Sequence, residues 1–288
     1  MIALLVDGPL NIRVNKLVEA LNEFDEENTW SHTAPGLDGD PDAVTSETLG
    51  LIAEGPTGGL VTLMDISVPL DAGLVDEARA RSWWYQEGER AAAHRGHWLI
   101  AGGATDGWKA AVLRAKVSTL IAALVIHDNP SVVAVWNGVV GTLFTPDDVR
   151  GDLRFIARDQ VPIMFWTHCA LHSLEDGDVS MSTGGMKPFV GYEIEIWNAP
   201  RTAQQVNEQL NAVLNYLLDR GPVISAGQTI GRDGDPETLY CEFGPSRAER
   251  NEPVEALFLS FLDGDEEAAP PPPAKSKPSF LGKLFGRA

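Results

Sequence analysis

Two histidines, His94 and His97, stand three residues apart where a helical segment gives way to an apolar run. Imidazole is a common ligand of transition metals, and this spacing can place both rings on one ion if His94 ends a helix. A zinc site would need a third and usually a fourth ligand, for example His127, His168 or a carboxylate from elsewhere in the chain. The alternative is that both rings hydrogen-bond the backbone at a helix-to-strand turn. We expect this alternative and predict neither a metal nor a cofactor.

A second group of reactive residues lies in the segment 167–172, where His168 and His172 flank Cys169. The segment has the composition of a strand, in which His168 and His172 share a face but lie about 13 Å apart. That distance is too long for one metal ion. A nucleophilic Cys169 would need a histidine base, and its neighbour His168 would point to the opposite face. We therefore expect Cys169 to be a buried structural cysteine.

Two carboxylates, Glu193 and Glu195, alternate with apolar residues in the segment 189–197. Alternation of this kind predicts a half-exposed strand with both carboxylates on its outward face, about 6–7 Å apart. Such a pair suits glycosidase chemistry in principle, but alternation alone explains it without chemistry. The candidate polar cluster from the sequence is His94, His97, His168, Glu193 and Glu195.

The glycine-rich segment 101–107 joins a predicted strand to a predicted helix, which is where a phosphate can bind a helix N-terminus. It lacks a Gly-Lys-Ser/Thr sequence, and Asp106 would repel an anion. We expect a tight turn in which the Asp106 carboxylate caps the following helix. A second glycine loop, at 181–187, is interpreted as a plain connection.

These residues depend on a strand–helix unit at 97–101 and 108–126, which is the most apolar part of the chain. The helix is apolar on most faces and is therefore predicted to be mostly buried. Strands and helices are mixed along the sequence, which predicts an α+β fold with mostly antiparallel sheets packed by amphipathic helices. The other predicted helices are 11–24, 74–93, 145–158 and 202–220. The other predicted strands are 1–6, 48–54, 59–68, 132–136, 138–144, 161–171, 189–197, 223–230 and 238–243, with a surface loop at 25–46.

The chain divides into a globular domain, a linker and a tail. Residues 1–262 are predicted to form the α+β domain, with possible related halves at 1–136 and 137–262, although no internal similarity proves the halves. Residues 263–279 form an acidic and proline-rich linker, in which Pro270–Pro273 is an extended spacer. Residues 280–288 form a short basic and hydrophobic tail.

The tail combines apolar and basic side chains, which is typical of a docking peptide. On a short helix its apolar residues share one face and can enter a groove of a partner protein. Weak contact with an anionic membrane, folding back onto the acidic domain and the absence of any role are the alternatives. The residues predicted to bind the partner are Phe280, Leu281, Lys283, Leu284, Phe285 and Arg287.

Composition limits the function further. The chain has 288 residues, 44% of them hydrophobic, and a net charge of −19 from 41 acidic and 22 basic residues. This charge argues against general nucleic-acid binding, which needs clustered Lys and Arg. Two cysteines in so long a chain favour a reducing compartment. The N-terminus has the pattern of a strand rather than a signal peptide, and no run is expected to span a membrane. These features predict a cytoplasmic protein.

Several short motifs, taken in order, resemble those of the bacterial DUF4261 family of uncharacterised domains. They are His94-x-x-His97 before an apolar strand, Val135-Trp136, Gly191–Ile196, the helix 203–218 and Gly227–Gly231. The resemblance covers roughly residues 1–245. It implies a soluble bacterial protein with this α+β layout, and it carries no known activity and no catalytic residues.

The sequence contains no complete catalytic constellation, but it has a separable tail. We therefore expect a non-enzymatic interaction or accessory module that binds a protein partner through this tail. The alternative is a hydrolase or metal-dependent enzyme that uses His94 and His97.

Overall fold

A computed structural model of the chain describes residues 1–34, 36–37, 40, 43–103, 106–173, 178–231, 238–250 and 252–262. The predictions on the linker and the tail lie outside the described residues. In chain order the elements are β1 (Ile2–Val6), β2 (Ile12–Arg13), α1 (Val14–Phe24), β3 (Thr29–His32), β4 (Val44–Thr45), β5 (Leu49–Glu54), β6 (Gly59–Ile66), α2 (Ala72–Arg81), α3 (Gly88–Ala92), β7 (Gly96–Gly102), α4 (Trp108–Asp128), β8 (Val132–Asn137), β9 (Thr142–Phe144), α5 (Pro146–Ile156), α6 (Ile163–Trp166), β10 (His168–Ser173), β11 (Val179–Gly184), α7 (Lys187–Val190), β12 (Glu193–Ala199), α8 (Ala203–Arg220), β13 (Thr229–Gly231), β14 (Thr238–Pro245) and β15 (Glu255–Leu262).

The first sheet has seven strands in the order β3-β5-β6-β7-β1-β8-β9, and every neighbouring pair is antiparallel. Its interior strand β1 is buried on both faces, so its sequence is a continuous apolar run. Ile2, Leu4 and Val6 belong to the larger core, which includes residues of α1 and α4. Ala3 and Leu5 belong to a smaller core formed with residues of α2 and α3. Helices therefore cover both faces of this sheet.

The second sheet has six strands in the order β10-β11-β12-β15-β14-β13. Its central pair, β12 and β15, is parallel, and the other pairs are antiparallel. Helix α8 lies against β11 and β12 and inserts a stripe of leucines and valines into the larger core. The predicted α+β fold with mostly antiparallel sheets is confirmed.

Helix α4 contacts α5, α7 and the first sheet. Most residues of its second half are buried, but its first half is only partly covered. By length and composition α4 could cross a membrane, with a mean hydropathy of 1.6. The expectation that no apolar segment is long enough to span a bilayer was therefore wrong. Core helices of soluble proteins pass the same test, because complete burial demands an equally apolar surface.

Some predicted elements were wrong in extent or type. The predicted loop 25–46 contains β3, an edge strand of the first sheet, and β4. The predicted helix 74–93 is two helices, because the chain turns at residues 82–87. Residues 163–166 are a helical turn before β10 rather than part of a strand. The N-cap of α4 is Gly107, and among the described residues no side chain, including that of Asp106, caps this helix.

Strand β15 was missed entirely, although it pairs with both β12 and β14. The possible boundary at 136/137 falls inside the first sheet, because β9 is hydrogen-bonded to β8. The chain instead passes from the first sheet to the second between β9 and β10.

Candidate functional site

His94 is held by backbone groups on both sides of its ring. Its Nδ1 lies 2.6 Å from the Ala91 carbonyl oxygen, and its Nε2 accepts a hydrogen bond of 2.8 Å from the Leu70 N–H. Burial lowers the pKa of His94 below its ordinary value, and nearby His97 adds to this decrease. The ring is therefore neutral at physiological pH, and neither nitrogen is available for a metal ion.

His97 lies beside His94 at the start of β7, and its Nδ1 is 3.0 Å from the Val68 carbonyl oxygen. His168 begins β10 in the second sheet, and its pKa is lowered by burial and then by the charge of Arg81. Within the described part of the chain, no group of three or more His, Cys, Asp or Glu side chains can hold a metal ion. The predicted polar residues thus occupy both sheets instead of one site.

Cys169 and His172 also have local structural roles. Burial, followed by the charge of Glu193, raises the pKa of Cys169 to about 11, so its thiol is protonated and a poor nucleophile. His172 lies 2.9 Å from the Ser182 hydroxyl through Nε2, and its ring stacks on Trp197 at a centroid distance of 5.0 Å. These contacts connect β10 with β11 and β12 in the second sheet.

Glu193 is buried rather than outward-facing, with 4% of its surface exposed. It accepts hydrogen bonds from the Thr183 hydroxyl at 2.7 Å and from the backbone N–H groups of Gly185, Met186 and Lys187 at 3.0–3.1 Å. Those N–H groups precede or begin α7, where a carboxylate is favourable. Glu193 therefore fixes the turn between β11 and α7.

Glu195 is fully buried, and the segment after β14 encloses it. The Ser246 hydroxyl, the Arg247 N–H at 3.0 Å and the Trp197 indole N–H at 2.7 Å donate to its carboxylate. The Arg250 guanidinium ion-pairs with it at 3.2 Å. Burial raises the pKa of Glu195, but these hydrogen bonds outweigh burial and lower it below its usual value.

The alternation in 189–197 predicted an exposed carboxylate face because a strand with one polar face normally meets water there. Residues 189–190 instead belong to α7, and the strand starts only at Glu193. Segments from distant parts of the sequence cover its polar face. The sequence feature that comes closest to predicting this burial is Ser246-Arg247 with Arg250, whose hydrogen-bond donors can satisfy a buried carboxylate.

The described residues form an open groove of about 1280 Å³ beside α4. We call it the α4 groove. The ends of α1 and α8, the first half of α4, and the segment from α5 through α6 form its walls. Its apolar surface includes Val112, Leu113, Phe155, Ile163, Met164 and Tyr216. Sequence analysis missed it because its walls come from five separate helices.

The α4 groove is also acidic. Its lining contains five carboxylates, Asp25, Glu26, Glu27, Asp159 and Asp219, and two lysines, Lys109 and Lys116.

Several of these charges already have partners. Asp25 is buried and accepts a hydrogen bond from the Trp30 indole at 2.9 Å. Lys116 ion-pairs with Asp159. Glu26 and Glu27 are exposed, and neither forms an ion pair within the ranges that the structure describes. The rim of the groove therefore favours a cationic group.

Two walls of the groove expose large apolar side chains to solvent. Met164 on α6 is 63% exposed and Tyr216 on α8 is 48% exposed. Val112 and Leu113 on α4 are only half-buried. An apolar groove with an acidic rim is chemically complementary to an apolar and basic peptide segment.

Comparison with known families gives one match. The model of a family described as Domain of unknown function (DUF4261) matches residues 182–254. The search of curated proteins and the search of solved structures give no significant match. The matched residues contain Glu193, Glu195 and the segment that encloses Glu195, and the family description assigns them no activity. The expected resemblance to the DUF4261 family is thereby confirmed over residues 182–254.

Proposed function

We propose that this protein is a non-enzymatic interaction module that binds a protein partner through residues 280–288. The domain supplies a rigid acidic body, and the tail supplies Phe280, Leu281, Leu284 and Phe285 together with Lys283 and Arg287. A peptide of this kind docks by burying its apolar side chains while its cations meet acidic groups. The proposed location is the bacterial cytoplasm, and the proposed partner is a protein rather than a nucleic acid.

The observation that carries this proposal is that the residues with catalytic potential already form hydrogen bonds within the chain. His94, Glu193 and Glu195 each direct their polar atoms to the backbone or to side chains of the same chain. General acid–base or nucleophilic chemistry needs such groups to face a space that a substrate can enter. The apolar lining of the α4 groove, with exposed carboxylates at its rim, supports binding of a peptide instead.

The alternative, a hydrolase or metal-dependent enzyme that uses His94 and His97, receives no support from the geometry. Both ring nitrogens of His94 face backbone groups, and the carboxylates Glu193 and Glu195 lie in the other sheet. No observation therefore favours this second function.

The experiment is a quantitative pull-down from bacterial lysate with the full chain and with a chain that lacks residues 270–288. We expect the captured proteins to decrease or disappear with the shortened chain, because the tail provides the contacts. The double variant Ser276→Ala/Ser279→Ala is the matched control, since it changes the linker but keeps every apolar and basic side chain of the tail. An unchanged set of captured proteins after the deletion contradicts the proposal.

A further inference from the structure

The first half of α4 has the apolar composition that is typical of a buried helix, but part of its surface is exposed to solvent. The sequence of this helix is apolar on most faces, yet Val112 and Leu113 are half-buried and line the α4 groove. Exposed Met164 and Tyr216 face the same groove. Contiguous apolar surface of this kind marks a binding site for another polypeptide segment.

We propose that residues 280–288 of the same chain dock in the α4 groove and are released when the partner protein binds them. This inference rests on the proposed function of the tail and adds its regulation. The groove and the partner then compete for the same apolar and basic side chains.

Charge complementarity is the first argument for this occupant. Five carboxylates and two lysines line the groove, and Glu26 and Glu27 at its rim have no ion pair in the described ranges. From Lys275 to the end of the chain there are four basic residues and no acidic one. Opposite charges of this kind orient a segment and speed its encounter with the groove.

Apolar complementarity is the second argument. On a helix, Phe280, Leu281, Leu284 and Phe285 share one face, because residues three and four positions apart lie side by side. An amphipathic helix of this kind lays its apolar face into a hydrophobic groove. The groove offers aliphatic, thioether and aromatic side chains from α4, α6 and α8 for this contact.

The length of the linker permits docking within one chain. The last described residue, Leu262, ends β15, and 17 residues separate it from Phe280. At about 3.3 Å per residue these can span about 56 Å. A compact domain of this size has a radius of gyration of about 18 Å, so the linker is about three times this radius in length and lets the tail reach the domain surface well beyond the end of β15. A tether of this length gives an effective concentration in the millimolar range.

The test is cross-linking in the full chain, with Cys169→Ser as background. Ser279→Cys places one thiol at the start of the tail, and Met164→Cys places the other in the groove. The control pairs Ser279→Cys with Val68→Cys. Val68 is 60% exposed, close to the exposure of Met164, and lies beyond the opposite end of β6 from the groove residue Thr57. A short bis-maleimide then reports proximity within one chain by mass spectrometry.

We expect the intramolecular yield with Met164→Cys to be about fivefold higher than with Val68→Cys, since a docked tail is concentrated at the groove. Adding Glu26→Lys and Glu27→Lys should remove most of this difference, as should high salt. Equal yields at the two positions would overturn the proposal, and so would a product that forms only between two chains.

The result can be separated from that of the pull-down. If the tail is required for capture but shows no preference for the groove, the result supports the proposed function and contradicts the proposed docking of the tail in the α4 groove. If the tail docks, Met164→Lys should release it and increase capture of the partner several-fold. Unchanged capture with Met164→Lys would contradict competition between groove and partner.

Discussion

At the scale of single residues, the carboxylates of β12 serve structure rather than chemistry. Glu193 and Glu195 are buried, and each receives at least four hydrogen bonds or ion pairs from the segments around it. Uncompensated burial of a carboxylate is costly, so these donors are a condition for folding.

The first prediction concerns Glu195→Gln. The change leaves the partly buried Arg250 without its counter-charge and should lower the free energy of unfolding by about 2–4 kcal/mol. Because the pKa of Glu195 is lowered on folding, its stabilisation is present above the unfolded pKa of about 4.3 and is lost as the pH falls through the folded value. Urea unfolding at pH 7 and at pH 4 measures this effect. Exposed Glu242→Gln on β14 is the control, and an equal effect of the two variants would refute the structural role.

A second prediction concerns Asp152 on α5. Burial, and then the charge of Asp148, raises its pKa to about 7. The folded state therefore binds this proton more readily than the unfolded state, and stability falls as the pH rises from about 4 to about 7. Asp152→Asn should stabilise the protein at pH 8 by about 1–3 kcal/mol, after allowance for solvent screening, and by little at pH 4. Thermal unfolding across this range measures the effect, and parallel curves for the variant and the natural chain would show that Asp152 titrates normally.

The third prediction tests the role of His94. His94→Ala leaves the Leu70 N–H without its partner and removes the ring's hydrogen bond to the Ala91 carbonyl, so it should lower the free energy of unfolding by about 1–3 kcal/mol. The loss should be the same with added zinc as with a chelator, because the natural ring binds backbone groups. His127→Ala, whose side chain is 68% exposed, is the control. A zinc-dependent increase in the melting temperature that disappears in His94→Ala would restore the metal hypothesis.

At the scale of elements, the sequence predicted the parts whose signals are local. Helices α5 and α8 lie close to the predicted ranges 145–158 and 202–220. Each begins with a capping box, at Thr145 and at Thr202, and Gly221 ends α8 with φ of 81°. The strand–helix unit β7–α4 and the hairpin β5–β6 also lie close to their predicted positions. Caps and turns depend on residues within a few positions, so one segment is sufficient to predict them.

Elements that depend on distant partners were missed or misjudged. Strand β15 is an interior strand of the second sheet, but the acidic residues that follow it conceal its boundary. The covered face of β12 and the walls of the α4 groove likewise arise from segments far apart in the sequence. Tertiary contacts decide these features, and periodicity within one segment does not record them.

The fourth prediction concerns β15. Leu257 is fully buried and lies opposite Ile194 of β12 and Phe243 of β14. Leu257→Ala should lower the free energy of unfolding by about 2–5 kcal/mol, because it leaves a cavity between the paired strands. Exposed Ser260→Ala on the same strand should change it by less than about 0.5 kcal/mol. Chemical denaturation compares them, and a small effect of Leu257→Ala would contradict the central place of β15.

At the scale of the whole molecule, the two large sheets and the helices packed against them leave a large acidic groove beside α4. The chain then continues beyond β15 into a spacer and a tail of opposite charge. The acidic charge therefore lies on the domain, and the tail combines basic and apolar side chains. This division, with the internal use of the polar residues, supports an interaction module in preference to an enzyme.

The most direct measurement is quantitative capture of the partner from lysate by the full chain and by Phe280→Ser/Leu284→Ser, with Ser276→Ala/Ser279→Ala as the matched control. The double variant removes two apolar anchors and keeps every charge, so we expect it to lose at least about tenfold in captured protein. The control should capture as much as the natural chain. Equal capture by all three chains would contradict the central claim that the tail binds the partner.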